Sequence, residues 1–558
     1  MAGNMQMGYA IWDNIAVISG ENDMNYGTLY NAYPSARNNQ YAKNAMVAAS
    51  QPLAAQAGMD IIKKGGNAVD AAIATAAILT VVEPCSNGIG GDAFAIIWSK
   101  GRLHGLNASG PAPVAASAEK LRNMGFDSVP DFGMYPVTVP GQPAAWAALS
   151  KKFGLLPFAD LLEPAIKTAA SGYAVTSTVA YNWKRAFERY SKMASGPEFL
   201  NWYKIFAPKG RSPKAGEVWK SHLHAETLSE LADTKCESFY RGSLADKIIA
   251  ASNSCQGWLQ PKDLANYSVE WVEPLRMAYR DYEVCELPPN GHGIAALMAL
   301  GICSHFDLEH TKQSRAYHIM IEAMKLAFAD VKEYVADPKH MAYKNEALLD
   351  PEYLKERAAM IGKNAMAPAP GLAQPGGTIY LCTADSEGTM VSYIQSNYKG
   401  FGSGIVADGS AIALHNRGAN FNLVPGHPNC LEGGKKPYHT IIPGFLMKNG
   451  QPQGPFGVMG AFMQPQGHLQ ILSAAIDSGL SPQECLDAPR WQWTRGKAVS
   501  VEASFLRKSV YELKELGHDI SVSIDTDDFG RGQIIWKTPE GTYCGGTESR
   551  CDGHIASL

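Results

Sequence analysis

The spacing of hydrophobic and polar residues divides this chain into stretches of different character. Residues 1–44 are polar and rich in Asn, Tyr and Gly, which predicts an irregular arm. Order begins at Ala45-Met-Val-Ala-Ala-Ser50, a short strand, and Pro52 to Lys64 has helical apolar spacing that stops at Gly65-Gly66. Asn67 can cap a second helix over Ala68 to Val82, whose alanine content favours close helix packing. Asn87-Gly-Ile-Gly-Gly91 is a glycine turn leading into a strand at Ala93-Phe-Ala-Ile-Ile-Trp98. From about 140 to 340 the pattern is mainly helical, most clearly at Trp146–Phe153, Asp160–Ser171, Leu223–Ala232 and Arg315–Val335. Ala367-Pro-Ala-Pro-Gly-Leu-Ala-Gln-Pro-Gly-Gly377 cannot pack as helix or central strand and reads as a linker. Beyond it, Thr378–Ala384, a turn at Asp385-Ser-Glu-Gly388 and Thr389–Ile394 predict a β-hairpin.

Composition narrows the classes of function. The 558 residues suffice for two to four domains or for one large layered core, and 46% hydrophobic with 18% charged residues predicts a globular protein. The net charge is −4 and no basic run stands out, so the electrostatic footprint of a nucleic-acid or anionic-membrane binder is missing, and a small molecule is the expected partner. The most apolar stretch, Ala71 to Val82, falls short of the roughly 18–20 residues that cross a bilayer. No basic segment followed by an apolar one opens the sequence, which points to a cytoplasmic address and leaves a periplasmic one open. The 10 cysteines lack C-x-x-C pairs and zinc spacing, so they are read as buried thiols, and no metal or cofactor is expected.

The junction at Gly377–Thr378 is where chemistry is most legible, because a hydroxyl residue opens a strand directly after a Gly-Gly pair. Inside a chain, threonine has no base of its own. At a new N-terminus its α-amine, with a pKa of about 7.7–8.0, can take the hydroxyl proton. Attack of the Thr378 hydroxyl on the Gly377 carbonyl, followed by hydrolysis of the ester, would cut the chain and create that nucleophile, and the upstream glycines permit the bent backbone this needs. Spacing alone is equally satisfied by an ordinary turn before a strand.

Several blocks resemble the γ-glutamyltranspeptidase family: Asn44-Ala-Met-Val-Ala-Ala-Ser-Gln-Pro-Leu-Ala54, Gly65-Gly-Asn-Ala-Val-Asp-Ala-Ala72, Gly88-Ile-Gly-Gly-Asp92, Val139-Pro-Gly141, His318 with Glu322-Ala-Met-Lys-Leu-Ala-Phe-Ala-Asp330, Phe401-Gly-Ser-Gly404 and Asp487-Ala-Pro-Arg490. The resemblance implies an α+β, four-layer αββα sandwich of the N-terminal-nucleophile hydrolase type. It also implies a large subunit over 45–377 and a small, strand-rich subunit over 378–558, forming one compact unit. Thr378 is then the nucleophile, and Ser396 the second hydroxyl that orients it. Gly460-Ala461 becomes the oxyanion-hole pair, where transpeptidases carry Gly-Gly, and Asn416 lies in the acyl-binding loop. A strand-end serine and a plain glycine turn are the alternative readings of Ser396 and Gly460.

Where the sequence departs from the family it changes the expected substrate. Ser109 stands where transpeptidases place an arginine for the α-carboxylate, Asn420 replaces the acidic partner of the α-ammonium, and His439-Thr440 replaces a serine pair. Arg417 is a cation in the altered loop and suits an acyl group with a terminal carboxylate and no amine, such as glutaryl or the acyl group of oxamate; a solvated arginine and a structural His439 are the alternatives. The expected enzyme is an amidohydrolase resembling glutaryl-7-aminocephalosporanic acid acylases, with weak γ-glutamyl transfer as a side activity. An oxamate-type amidohydrolase and a non-catalytic binding relative are the alternatives. No G-x-S-x-G, H-E-x-x-H or Walker motif supports a different enzyme type.

Overall fold

A computed structural model describes residues 36–368 and 377–558. Most of the arm and most of the linker therefore lie outside the described residues. The strands of the two main sheets are, in chain order, β1 (Gln40–Ala42), β2 (Met46–Ala49), β3 (Asp92–Ser99), β4 (Arg102–Ala108), β5 (Glu270–Val272), β6 (Leu275–Tyr279) and β7 (Tyr282–Glu286). Then follow β8 (Gly377–Ala384), β9 (Met390–Tyr398), β10 (Gly444–Lys448), β11 (Gln451–Met459), β12 (Arg531–Lys537), β13 (Tyr543–Thr547) and β14 (His554–Ser557). The first sheet runs β14-β2-β8-β9-β3-β4-β5 and the second β1-β13-β12-β11-β10-β7-β6. Neighbours are antiparallel throughout both.

Alternation along the strands builds the layers. In β8, Ile379 and Leu381 join the core under the first helical layer, while Tyr380, Cys382 and Ala384 face the other way. The outward set meets Phe445, Met447 and Ile535 of the second sheet. Leu446, Phe456, Val458 and Ile534 face a third core beneath the second helical layer. The first layer includes α1 (Pro52–Lys63), α2 (Ala68–Val82), α3 (Gln142–Phe153), α4 (Phe158–Ser171) and α5 (His222–Thr234). The second includes α6 (Gly293–Cys303), α7 (Gln313–Tyr334), α8 (Met463–Ile476) and α9 (Arg507–Glu515). The four-layer αββα sandwich expected from the sequence is the one observed.

Local chemistry sets the element boundaries. The Asn67 side chain accepts hydrogen bonds from the Val69 and Asp70 N–H groups and the Asp70 carboxylate accepts the Asn67 N–H, a reciprocal cap worth about 1 kcal/mol that starts α2 where the sequence predicts. All of α2 is buried, which its all-round apolar surface requires. Two expectations need correction. The arm is not irregular to residue 44, because Gln40–Ala42 pairs with β13. The helical stretch from 140 to 340 is broken by β5–β7, where Tyr-Glu-Val-Cys-Glu at 282–286 follows strand rather than helix periodicity. All 10 cysteines are free thiols, and eight are buried. Among the described residues no helix is long and apolar enough to cross a membrane.

Candidate active site

Thr378, Ser396 and Asp92 sit at one end of the first sheet. Each keeps step with strand neighbours that face the second sheet: Thr378 with Tyr380, Ser396 with Ile394, Asp92 with Phe94. The three side chains therefore open into the gap between the sheets. Thr378 Oγ1 lies 3.0 Å from Ser396 Oγ, and Ser396 Oγ also accepts the Tyr398 N–H at 2.8 Å. That second bond turns the serine lone pair toward the backbone and leaves its hydroxyl to meet the threonine. Gly377 pairs with Tyr398 across β8 and β9, with the register shifting between Gly377 and Ile379. Tyr398 has φ 74°, a left-handed conformation that a bulky residue adopts at a cost of about 1–2 kcal/mol.

Asp92 is the register partner of Ser396 and gathers Arg417 and two histidines around it. Its Oδ2 is 2.9 Å from His439 Nε2, 3.2 Å from Arg417 Nε and 3.2 Å from His415 Nδ1, with all four side chains fully buried. Burial alone would raise the Asp92 carboxyl, but His415 and His439 outweigh it and hold it well below the usual carboxylate range. Burial, reinforced by Arg417, pushes His439 down to about 3, so it is neutral and donates to Asp92 through Nε2. Burial also lowers Arg417, whose guanidinium remains charged because its starting value is so high. Its Nη1 donates to Thr440 Oγ1 at 2.8 Å and its Cζ lies 4.5 Å over the Tyr398 ring. Arg417 Nη2 and Asp92 Oδ1 have no partner among the described residues. Arg417 is thus neither solvated nor a free fork: Asp92 and Thr440 occupy part of it, and one nitrogen is left for a ligand.

The glycine block beside this cluster is explained by contact. A Cβ on Gly91 would lie 2.6 Å from the Ser396 carbonyl oxygen, so only glycine lets the turn close on β9. The Gly91 carbonyl takes the Gly141 and Gln142 N–H groups, and the His415 N–H donates to the Gly90 carbonyl. Three blocks distant in sequence are thereby drawn together around Asp92.

Other predicted site residues take different places. Asn416 spends its amide on structure, donating to the Asp131 carbonyl at 2.9 Å and accepting the Lys399 N–H at 3.1 Å. Ser109 is buried and donates to Asn107 Oδ1 at 2.7 Å within a network shared with Asn290. It reaches the site only through the backbone, since the Asn290 carbonyl accepts the His439 N–H. Asn420 is partly exposed and its Nδ2 has no partner among the described residues. Gly460 (φ 141°) and Ala461 (φ 51°) form the turn between β11 and α8. Such a turn presents N–H groups at the positive end of a helix, the arrangement an oxyanion hole uses. Gln464 in the first turn of α8 accepts the Ile442 N–H at 2.9 Å and ties this turn to the Thr440 segment.

The family resemblance implies a hydroxyl pair at the head of a strand and a small-residue turn for the oxyanion; the buried Arg417–Asp92 pair is an addition of the structure. A family model described as gamma-glutamyltranspeptidase matches residues 54–558. The chain belongs to the γ-glutamyltranspeptidase family. Its fold is similar to that of a cephalosporin acylase from Bacillus halodurans, with a TM-score of 0.93 and 54% identity over 96% of this chain and 99% of that one. A glutathione hydrolase-like YwrD proenzyme from Bacillus subtilis is 34% identical over 92% of this chain and 98% of its own length. An oxamate amidohydrolase proenzyme from Klebsiella pneumoniae is 32% identical, again over 92% and 98%. The chain is an enzyme with the sandwich of N-terminal-nucleophile hydrolases.

Within the transpeptidase family frame, sequence reasoning missed Asp92, His415 and Tyr398. Asp92 closes the quoted Gly88–Asp92 block, so its position was visible, but its partner lies more than 300 residues away. Tyr398 carried no signal beyond its distance from Ser396, because a left-handed tyrosine has no sequence signature.

Proposed function

We propose that this chain is an autoprocessed amidohydrolase that removes a carboxylate-bearing acyl group, best represented by glutaryl, through an ester on Thr378. The observation carrying the proposal is the 3.0 Å contact of the Thr378 and Ser396 hydroxyls at the head of β8, between the sheets. In the unbroken chain the Thr378 nitrogen is an amide; cleavage after Gly377 would free it as the base. The Thr378 hydroxyl would attack the substrate carbonyl, pass its proton to the α-amine and form a tetrahedral oxyanion facing the Gly460–Ala461 turn. Collapse expels the amine, which takes the proton back, and water then hydrolyses the acyl-threonine ester by the same route. The proenzyme names of the relatives support processing.

Arg417 supports the carboxylate preference. With Asp92 beside it the pair is neutral overall, so an acyl carboxylate would gain one charge-assisted hydrogen bond from Nη2 rather than a bidentate grip. Glutaryl leads because of the similarity to a cephalosporin acylase. A second reading, the oxalyl group of oxamate, is favoured by the short span: Asp92, which anchors Arg417, stands directly across the sheet from Ser396. Glutaryl, oxalyl and γ-glutamyl amides, with a butyryl amide as the neutral acyl group, should be compared on the processed protein, with the acylated residue located by mass spectrometry. Fastest release from a carboxylate-ended acyl group, carried on Thr378, is expected. Equal rates for neutral acyl groups, or an adduct on another residue, would overturn the proposal.

A further inference from the structure

Helix α7 carries a quoted family block that no step above uses. Glu322 and Lys325 form a fully buried ion pair one turn apart, Nζ to Oε1 at 2.7 Å. Burying two charges costs several kcal/mol per ion before their attraction is counted, so stability alone is a poor reason for the pair. Both charges also grip one residue. The other Glu322 oxygen accepts the Met366 N–H at 3.0 Å and Lys325 Nζ donates to the Met366 carbonyl at 3.0 Å.

The grip extends along the neighbouring backbone. His318 Nε2 is 3.2 Å from the Gly362 carbonyl, which also accepts from Arg315 at 2.9 Å. With that proton on Nε2, His318 Nδ1 is bare and must accept from His518 Nε2 at 2.8 Å, which leaves His518 Nδ1 without a partner among the described residues. The Ala365 N–H donates to the Leu516 carbonyl at 2.7 Å. Residues 362–366 are thus fastened to α7 on one side and to the turn after α9 on the other, that is, to chain from both sides of the Gly377–Thr378 bond. His318, Glu322 and His518 have donor types that could suit a metal ion. The ammonium on Glu322 and the use of both His318 nitrogens and of His518 Nε2 in hydrogen bonds favour a backbone clamp instead.

We propose that the His318–Glu322–Lys325–His518 cluster is a clamp on the stem of the cleavable segment, whose residues position the Gly377–Thr378 bond for self-cleavage and take no part in later acyl turnover. This rests on the processing reading above. The double variant Glu322→Gln/Lys325→Met removes both charges without stranding either. Purified uncleaved protein is followed on denaturing gels, and kcat and KM are measured once cleavage is complete. The expected result is cleavage slowed at least about tenfold, the scale of a small misplacement of reacting groups, with kcat and KM of the finished enzyme within about twofold of the parent. Cleavage at the parental rate overturns the clamp, as does an equal loss in cleavage and in mature kcat, which marks a general folding defect. If the double variant does not fold, Lys325→Arg, which keeps the charge but crowds the Met366 carbonyl, provides the same two readouts. Failure of the parent itself to cleave at Thr378 would overturn the processing reading, and is seen without any variant.

Discussion

Arg550 and Arg417 are both buried guanidinium groups, and the way each is satisfied separates framework from site. Arg550 bonds Glu502 at 2.6 Å through Nε and Nη2, Glu548 at 2.6 Å through Nη1, and the Leu486 and Ala488 carbonyls at 2.6 and 3.0 Å. Although burial would lower it, Glu548 and Glu502 raise it well above its ordinary value. Arg417 has one carboxylate, one hydroxyl and one aromatic face, keeps Nη2 open and is shifted down by burial. A saturated buried cation is a strut. A buried cation with an unfilled donor, beside a carboxylate with an unfilled acceptor, is an unfinished arrangement that a ligand can complete.

Substitutions should divide along that line. The largest effect on stability is expected for Arg550→Ala, which strips the cation from Glu502 and Glu548 and should cost about 3–5 kcal/mol, read as a fall in the urea midpoint. Arg417→Gln should instead raise KM for acyl groups ending in a carboxylate by about 10- to 100-fold, the worth of one charge-assisted hydrogen bond, and leave neutral acyl groups nearly unchanged. Equal effects on both substrate classes would erase the distinction between the two arginines.

Acid should probe the same cluster. His439 falls from 6.5 to about 3 in the folded protein, so its neutral form contributes stability that is complete above about pH 6.5 and is lost as pH drops toward 3. His439→Gln should therefore flatten the stability–pH curve in that window by up to about 1.4 kcal/mol per pH unit. An unchanged slope would place the titration elsewhere. The smallest effect is expected at Ala461, whose φ of 51° favours glycine: Ala461→Gly should change stability by no more than about 1 kcal/mol and kcat by no more than about threefold. A large loss of kcat would mean that the alanine methyl itself shapes the turn proposed to hold the oxyanion.

Local signals were readable in the sequence to the extent that they are local. Asn67 and Asp70 fix the start of α2 within a few residues, and the alternation from Thr378 to Ile394 gives the hairpin. The second strand runs past Ile394 because it pairs with β3 as far as Ser396 opposite Asp92, a long-range fact, and with Gly377 of β8 at Tyr398. The same limit explains the strand at Gln40–Ala42, whose partner is β13. At the site, the Thr378–Ser396 pair followed from the resemblance, whereas the Asp92–Arg417–His439 cluster joins three separate stretches of chain and needed the fold. Asn416 and Ser109, at family binding positions, also brace backbone and neighbouring amides, contacts that only the fold shows.

The central claim is that Thr378 becomes a chain terminus and acts through its own amine. Intact mass and N-terminal sequencing of the purified protein test it most directly. Two chains are expected, the smaller beginning at Thr378, and a single inactive chain for Thr378→Ala. A different first residue, or an uncut chain that still hydrolyses amides, would contradict it.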